Sequence, residues 1–325
     1  MESNPFQSRV DLTAFNARIS EIKNEIGKVI VGQEQMIDLL LTAILADGHA
    51  LIEGVPGVAK TLTAKLLSKI ISVDFARVQF TPDLMPSDIL GTSVYNLKTS
   101  EFEFKAGPIF TNIVLIDEIN RAPAKTQAAL FEVMEERQVT IDGHTHKMRL
   151  PYMVLATQNP IEQEGTYRLP EAQLDRFLFK ITVTYPSHEQ EIEILTRHHE
   201  RKGVQPISEI TPLLKAEEIE LFRKFAQQVH IEKNLLTYIA QIIQETRNNP
   251  MIFLGASPRA SLAILTGAKA FAMLSGRDFV NPEDIKFIAA PVLRHRIVLS
   301  PEKEMEGINA DEVITQIVNK IEVPR

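Results

Sequence analysis

The segment Gly54–Thr61, with the sequence GVPGVAKT, carries the residue types that bind phosphate. Small residues allow backbone N–H groups to turn inward onto phosphate oxygens at the N-terminus of a helix. Lys60 would reach the β- and γ-phosphates, and the Thr61 hydroxyl would bind Mg²⁺. The segment follows an apolar run and precedes a helical pattern, so it predicts a nucleotide phosphate loop. The alternative is a Gly/Pro turn before an ordinary helix, which the flanking patterns disfavour.

Ala59 departs from the general phosphate-loop pattern, which has glycine directly before the lysine. A residue with a Cβ atom is tolerated at that position only if its backbone is right-handed, because the left-handed region favours glycine. The start of a helix would provide such a backbone. We therefore expect Ala59 to have right-handed, helical dihedral angles.

Two adjacent carboxylates, Asp117 and Glu118, follow the apolar run Ile113–Ile116. Residues at the carboxyl end of a parallel strand lie where such sheets bind ligands. Asp117 would hold the Mg²⁺ ion, and Glu118 would act as the general base on the attacking water. An apolar run that ends in Asp-Glu is common by itself, but it is much more specific when it follows a lysine-bearing phosphate loop.

The next apolar run, Tyr152–Thr157, is followed by Gln158, Asn159 and Pro160. An amide at Asn159 would lie between the two motifs, where it could hold a water molecule or a γ-phosphate oxygen. The alternative is an ordinary turn, which an Asn-Pro pair favours by itself.

A parallel sheet is the element that would bring these motifs together. Two amphipathic helices are predicted first, at residues 13–30, with Thr13 as N-cap, and at Glu34–Ala46. Short apolar runs then alternate with helical patterns, which predicts a mostly parallel sheet covered on both faces. The predicted strands are Ala50–Glu53, Phe75–Phe80, Asn112–Ile116, Tyr152–Thr157 and Phe179–Val183.

Two stretches interrupt this alternation, and a different pattern follows it. Val94–Phe104 and Val139–Leu150 each predict two short strands around a polar turn, and Asp142-Gly143 is a strong hairpin signal. After Pro186 the strand patterns cease, which predicts an all-α second half. Its predicted helices are Ser187–Arg201, Ala216–His230, Asn234–Arg247, Pro258–Leu274 and Pro282–Arg294, the last two with N-caps at Ser257 and Asn281.

The composition excludes several classes of function. The 325 residues include 42 acidic and 35 basic residues, for a net charge of −7, and no cysteine. This charge argues against a dedicated nucleic-acid surface, and the lack of cysteine excludes disulfides, thiolate metal sites and thiol nucleophiles. The N-terminus lacks a signal-peptide pattern, and the apolar segment Leu39–Ala46 is far shorter than the roughly 20 residues that span a bilayer. We expect a cytoplasmic protein without a membrane span.

Five segments, in this order and spacing, resemble the MoxR family of AAA+ ATPases: GVPGVAKT, LIDEINRAP, LATQNP, GTYRLPEAQLDRF and GASPRA. The resemblance covers roughly residues 15–295. It implies an α/β fold, with an αβα nucleotide-binding core over residues 1–186 and a small all-α lid over residues 187–325. The core would contain a five-stranded parallel sheet in the order 5-1-4-3-2. The two hairpins, at about 92–106 and 137–150, match inserts of this clade, one within the second helix of the core and one before sensor 1.

The resemblance also implies a role for each matched residue. Asp117 and Glu118 would form Walker B, Asn159 would be sensor 1, Arg176 would be the arginine finger that reaches a neighbour's γ-phosphate, and Arg259 would be sensor 2. Walker A and the adenine-contacting segment would supply the other nucleotide contacts: Val31, Gly32, Gly54, Val55, Pro56, Gly57, Val58, Ala59, Lys60, Thr61 and Leu62. Arg121 lies in the family's Asn-Arg-Ala stretch without an assigned role, and Arg168 stands where the family pattern has proline.

The implied function is hydrolysis of Mg·ATP to ADP and phosphate in order to remodel or mature a client protein complex. The family implies a homo-oligomeric ring, commonly hexameric, and partners with a von Willebrand factor A domain in metal-cofactor insertion. One alternative is a DNA motor, because MCM helicases share the clade and both inserts; the net charge and a hairpin tip with one lysine argue against it. A second is a nucleotide sensor that does not hydrolyse ATP, against which Glu118, Asn159 and Arg176 count.

Overall fold

The computed structural model describes residues 12–55, 57–159, 167 and 169–324. Its strands are β1 (His49–Gly54), β2 (Phe75–Gln79), β3 (Gly91–Asn96), β4 (Glu101–Ala106), β5 (Ile113–Asp117), β6 (Gln138–Ile141), β7 (His144–Lys147), β8 (Met153–Gln158), β9 (Phe177–Val183), β10 (Ile252–Leu254) and β11 (Val298–Leu299). Its helices are α1 (Thr13–Gly27), α2 (Glu34–Leu45), α3 (Lys60–Ile70), α4 (Pro86–Leu90), α5 (Ala124–Glu136), α6 (Glu171–Leu174), α7 (His188–Glu200), α8 (Ala216–Gln228), α9 (Lys233–Asn248), α10 (Pro258–Leu274), α11 (Pro282–Leu293), α12 (Pro301–Met305) and α13 (Ala310–Lys320). Among the described helices, none is long and apolar enough to cross a membrane.

A five-stranded parallel sheet organises the first half of the chain. Its order is β2-β5-β8-β1-β9, with every neighbouring pair parallel. When these five strands are numbered by themselves and counted from the β9 edge, the order is 5-1-4-3-2. The predicted fold class and strand order are therefore confirmed. All five strands also lie where the apolar runs placed them, with small shifts at their ends.

The central strands are mostly apolar because helices cover both faces of the sheet. Alternate residues of β5 enter different apolar clusters. Ile113 and Leu115 pack into the cluster that contains α1, α2, α3 and the apolar residues of the second half of the chain. Val114 and Ile116 pack into the cluster on the other face, which includes Phe131 of α5. The two-residue period of the strand thus divides the core into two layers.

Both predicted hairpins form. β3 pairs with β4 and β6 pairs with β7, each pair antiparallel. In the second hairpin Asp142 and Gly143 have φ angles of 50° and 78°, as a tight primed turn requires. The two hairpins touch each other, since the His146 ring stacks on Phe104 with a centroid separation of 4.1 Å.

The first hairpin does not divide a helix into two parts as the resemblance implies. The five-residue helix α4 precedes it, but the segment between β4 and β5 contains turns and no helix. Gly107 and Pro108 lie at the start of this segment, and both residue types oppose helix formation there. Helix is therefore present only on the N-terminal side of the insert.

The second half of the chain is helical, and the five predicted helices are all present. The Asn281 side chain accepts a hydrogen bond from the Asp284 N–H at 2.9 Å, as expected for an N-cap. The prediction that strands cease after Pro186 is wrong in one detail, because β10 and β11 form a small antiparallel pair. These strands have three and two residues, too few to show a periodic pattern in the sequence.

Thr13 is not the N-cap of the first helix, contrary to the prediction. The Asn16 N–H donates to the Leu12 carbonyl at 2.8 Å, so the first helical hydrogen bond closes on Leu12. Leu12 is therefore the capping position and Thr13 the first helical residue. An apolar residue at this position was not recognisable because the sequence rule looks for a side-chain oxygen.

His49, at the start of β1, is a buried histidine that the fold holds in its neutral form. Its Nδ1 accepts a hydrogen bond from the Val154 N–H, and its Nε2 lies 3.0 Å from the Met134 carbonyl oxygen. Both contacts are satisfied only when the proton is on Nε2. Burial is the main cause that lowers the pKa of His49 to about 4; the hydrogen bond to the Met134 carbonyl and the charge of Asp47 oppose this shift, and the charge of Arg137 adds to it.

We expect the free energy of unfolding to decrease as the pH falls from about 6.5 to about 4. In this range the unfolded histidine binds a proton and the folded one does not, so protons favour the unfolded chain. A shift of this size corresponds to about 3 kcal/mol. Urea unfolding at several pH values would measure the change, with His49→Gln as a control that keeps an amide donor and acceptor but does not titrate. The same pH dependence in both proteins would contradict this role of His49.

Candidate functional site

The predicted nucleotide motifs meet at the carboxyl ends of the central strands of the sheet. Gly54–Thr61 connects β1 to α3, Asp117 is the last residue of β5, and Asn159 directly follows β8. β8 lies between β1 and β5, and all three strands are parallel, so their carboxyl ends lie side by side. Open parallel sheets bind their ligands at these carboxyl ends.

Lys60 lies close to both predicted motif carboxylates. It is the first residue of α3, and its Nζ donates to the Gly54 carbonyl at 2.6 Å, across the phosphate loop. Burial lowers the pKa of Lys60, whereas the negative charges of Asp117, Glu118 and Glu53 oppose this shift. The cation therefore lies in the field of the carboxylates that follow β5.

Ala59 has a left-handed backbone, with φ 59° and ψ 17°, so the expectation of a right-handed conformation is wrong. It is the residue that caps α3, where the chain must turn sharply from the loop into the helix. This conformation costs a residue with a Cβ atom about 1–2 kcal/mol. The site tolerates an alanine there at the expense of local strain. Thr61 and Leu62 follow in the first turn of α3, and Pro56 lies outside the described residues.

Asp117 is buried and both of its carboxylate oxygens have partners. Oδ2 accepts from the Arg77 Nε at 2.6 Å, and Oδ1 accepts from the Thr157 hydroxyl at 3.1 Å. The Thr157 Oγ1 in turn accepts the Glu118 N–H at 3.0 Å. Thr157 on β8 thereby fixes the backbone of Glu118 and the side chain of Asp117 together.

Glu118 projects from a strained turn after β5. Its φ of 57° is left-handed, and a short 3-10 helix begins at the next residue. Gln79, at the end of β2, donates its side-chain amide to Glu118 Oε2 at 2.7 Å, and Arg121 Nε lies 3.0 Å from the same oxygen. The carboxylate predicted to act as general base is thus held by an amide and a guanidinium.

Arg77, Gln79 and Thr157 were missed by sequence reasoning, although each contacts a predicted site carboxylate. Arg77 and Gln79 are two residues apart on β2, so they lie on the same face of that strand. β2 is an edge strand of the sheet. Polar residues at alternate positions of this strand were the available signal, but only the strand order shows that they adjoin Asp117.

The two arginines predicted to act on the γ-phosphate share one carboxylate. Arg176 precedes β9 and donates from NH2 to Glu135 Oε2 at 2.8 Å, and Arg259, in the first turn of α10, contacts Glu135 Oε1 at 3.1 Å. Arg176 NH1 also donates to the Ala172 carbonyl. The structure therefore groups Arg176 and Arg259 with each other through Glu135.

The segment predicted to contact adenine packs against the connection between β9 and α7. Gly32 and Gln33 have φ angles of 68° and 61°, and the Gln33 side chain donates to the Thr184 carbonyl. A Cβ atom on Gly32 would lie 2.6 Å from the Gln190 side chain, so glycine suits both the angle and the space. Val31 directly precedes this turn. Arg168, where the family pattern has proline, lies outside the described residues.

Similarity to known proteins extends along most of the chain. Residues 49–179 match the family described as "ATPase family associated with various cellular activities (AAA)", and residues 244–317 match the AAA lid domain. The uncharacterised protein YeaC of Bacillus subtilis is 48% identical over 299 residues, which are 92% of each chain. Chaperone MoxR1 of Mycobacterium tuberculosis is 43% identical over 310 residues, which are 93% of this chain and 81% of that protein.

A solved structure agrees with these relatives. The crystal structure of a candidate ATPase from Cytophaga hutchinsonii has a TM-score of 0.89 and 43% sequence identity to this chain, and the match covers 97% of each. The shared fold has a five-stranded core sheet followed by a helical lid. On this similarity in sequence and fold, the chain belongs to the MoxR family of AAA+ ATPases.

Proposed function

We propose that the chain binds Mg·ATP and hydrolyses it to ADP and phosphate. The observation that carries this proposal is the convergence of Lys60, Asp117 and Glu118 at the carboxyl edge of the sheet, where the carboxylates influence the lysine. A cation for phosphate, a buried carboxylate for a metal ion and a second carboxylate for a water molecule are what phosphoryl transfer to water requires. Membership of a family of AAA ATPases supports the same reaction.

The phosphate loop would bind the nucleotide. Backbone N–H groups at the start of α3 would contact phosphate oxygens, and Lys60 would exchange its bond to the Gly54 carbonyl for the β- and γ-phosphates. Val31 and Gly32 would contact adenine through their backbone atoms. The binding of ATP therefore involves the replacement of an internal hydrogen bond of the loop.

The oxygen atoms of Thr61 and Asp117 suit Mg²⁺, which prefers hard oxygen ligands. Bound Mg²⁺ supplies neutralisation of the charge on the β- and γ-phosphate oxygens. Arg77 donates to Asp117 Oδ2 and would hold the carboxylate in the orientation in which it binds the ion. Thr157 continues to orient the other oxygen of Asp117.

Glu118 would accept a proton from the attacking water as the water oxygen forms its bond to the γ-phosphorus. The bond from that phosphorus to the β,γ-bridging oxygen breaks, and ADP leaves. Asn159, at the end of β8, would orient the water or a γ-phosphate oxygen. Gln79 and Arg121 hold one oxygen of Glu118, so the other is the one available to the water.

Arg176, the predicted arginine finger, would complete the site of a neighbouring subunit, in a homo-oligomeric ring that is hexameric by analogy with the family. Arg259, predicted as sensor 2, would act together with Arg176, because both arginines pair with Glu135. The ring would use ATP turnover to remodel a client protein, since a relative that is 43% identical is named a chaperone. In the narrower form of this proposal, the client or partner has a von Willebrand factor A domain, and the remodelling serves the insertion of a metal cofactor. The proposal also places the protein in the cytoplasm and gives it no nucleic-acid partner.

Phosphate release from ATP by the purified chain tests the proposal. We expect turnover that requires Mg²⁺ and is abolished when EDTA removes the ion, because the charge on the triphosphate is then not neutralised. Addition of DNA should leave the rate unchanged. Tight ATP binding without phosphate release would instead identify a nucleotide sensor, and strong stimulation by DNA would identify a DNA motor.

A further inference from the structure

Glu135, near the end of α5, forms two ion pairs that none of the nucleotide motifs explains. Oε2 lies 2.8 Å from Arg176 NH2, and Oε1 lies 3.1 Å from Arg259 NH2. The three side chains come from three separate parts of the fold: α5, the turn before β9, and the first turn of α10. One carboxylate thus joins two core segments to the lid.

The two arginines keep donors for another anion while Glu135 holds them. A guanidinium has five N–H groups. Arg176 uses one for Glu135 and one for the Ala172 carbonyl, and its buried Nε finds no acceptor among the described residues. Arg259 is 59% exposed and contacts Glu135 through NH2. Within the described part of the chain, both guanidiniums therefore keep N–H groups without an acceptor, and the two side chains are held on the same carboxylate.

The carboxylate of Glu135 also allows the guanidiniums of Arg176 and Arg259 to lie near each other. Two guanidiniums on one surface repel each other, and a negative charge between them offsets that repulsion. Each pair is partly exposed to solvent, so each contributes little to stability. Glu135 is therefore of small importance for folding, and its main effect is on where the two arginines lie.

Asp175, which directly precedes Arg176, is anchored to the lid independently of Glu135. Arg296, whose side chain is only 4% exposed, contacts Asp175 Oδ1 at 2.5 Å and also donates to the Asp175 and Phe177 carbonyls. Ser257, which caps α10, donates to the other oxygen of Asp175. The backbone on both sides of Arg176 is thus fixed by Arg296, and Glu135 orients the side chain from this fixed base.

We propose that Glu135 is a positioning residue that presents Arg176 and Arg259 as one unit to a single phosphate group. This inference rests on the proposed function, in which that group is the γ-phosphate of ATP bound by the next subunit. A misplacement of about 1 Å in a catalytic group can reduce the rate about 10²-fold. Glu135 acts through the arginines and does not itself contact the nucleotide.

Glu135→Gln tests the inference, with Glu136→Gln as its matched control. Both changes remove one negative charge from the last turn of α5, so they have the same effect on the helix dipole. We expect Glu135→Gln to lower kcat on the order of ten- to a hundredfold with unchanged affinity for ATP. Glu136→Gln should keep the wild-type kcat. Glu135→Asp, which retains the charge on a side chain too short to reach both arginines, should have an intermediate kcat.

Mixed assemblies locate the effect. In a mixture of Glu135→Gln and Lys60→Ala chains, the second variant hydrolyses no ATP but still carries Glu135 and both arginines. A Glu135→Gln site next to such a neighbour should regain turnover. A wild-type kcat for Glu135→Gln or a changed ATP affinity would overturn the inference, and so would the absence of recovery under conditions in which mixtures of Arg176→Ala and Lys60→Ala chains do recover turnover. An inactive wild-type chain would instead refute the proposed ATPase function itself.

Discussion

Mixtures of Lys60→Ala and Arg176→Ala chains are expected to hydrolyse ATP, although each variant by itself should be nearly inactive. Lys60→Ala removes the side-chain cation of the phosphate loop, so that chain no longer binds ATP productively. Arg176→Ala chains bind ATP but lack the guanidinium for their neighbour. Turnover should reappear wherever an Arg176→Ala site adjoins a Lys60→Ala chain. Phosphate release at increasing mixing ratios would measure it.

The expected loss in Arg176→Ala alone is the largest among these variants. A guanidinium delivered to the γ-phosphate offsets the charge that develops in the transition state, and such arginines can contribute 10³–10⁵-fold to the rate. Arg176 pairs with Glu135, whereas the described partners of Asp117 and Glu118 are Arg77, Thr157, Gln79 and Arg121. This pairing agrees with an arginine that serves another subunit.

Two controls decide the interpretation of the mixing experiment. Native mass measurement would establish that the two variants assemble together, and dilution of the wild type should lower its specific activity as the assemblies dissociate. If all sites of an assembly must act together, co-assembled mixtures remain inactive but the dilution effect persists. Full activity of a wild-type sample shown to be monomeric would contradict the role of Arg176 at an interface.

Glu118→Gln should bind ATP as the wild type does while turnover falls by about 10²-fold or more, the scale expected for loss of a general base. Glutamine has the shape of glutamate, so its side chain can still contact Gln79 and Arg121, but its amide cannot accept the proton of the water. Asp117, which would bind Mg²⁺, is unchanged. Nucleotide binding by fluorescence and phosphate release would be measured on the same preparation.

Lys60→Ala is the variant to compare with Glu118→Gln. Its affinity for ATP should fall sharply, whereas Glu118→Gln should keep its affinity and lose turnover. The pair separates binding from chemistry within one site. Hydrolysis by Glu118→Gln at the wild-type rate would show that another group accepts the proton. Loss of ATP binding in that variant would show that Glu118 helps to hold the nucleotide, in disagreement with its contacts to Gln79 and Arg121.

The core sheet was predictable because its central strands are buried on both faces, and burial on both faces produces apolar runs. The carboxylates Asp117 and Glu118 were predictable for a related reason, since charged residues directly after such a run are conspicuous. The segment Gly54–Thr61 was predictable from its own residue types and spacing. The family resemblance added the strand order and the lid, both of which the structure and the relatives confirm.

What the sequence did not reveal depends on pairs of residues that are far apart in the chain. Arg77 is ordinary in its own strand, and only the adjacency of β2 and β5 brings it to Asp117. Glu135 is likewise one of several glutamates on α5, and its partners come from α10 and from the turn before β9. The β10–β11 pair was not predicted for the same reason. Its two strands form only by long-range pairing and are too short to have a local signal.

The left-handed Ala59 has a consequence for the affinity with which the loop would bind nucleotide. An alanine populates this conformation less readily than a glycine, so among chains without nucleotide only a fraction has the loop ready for phosphate. The apparent affinity of a ligand decreases in proportion to that fraction. Once ADP leaves, the loop can relax to a conformation with lower energy, which opposes immediate rebinding. In the proposed ATPase cycle, an alanine at this position would therefore favour exchange of nucleotide over its retention.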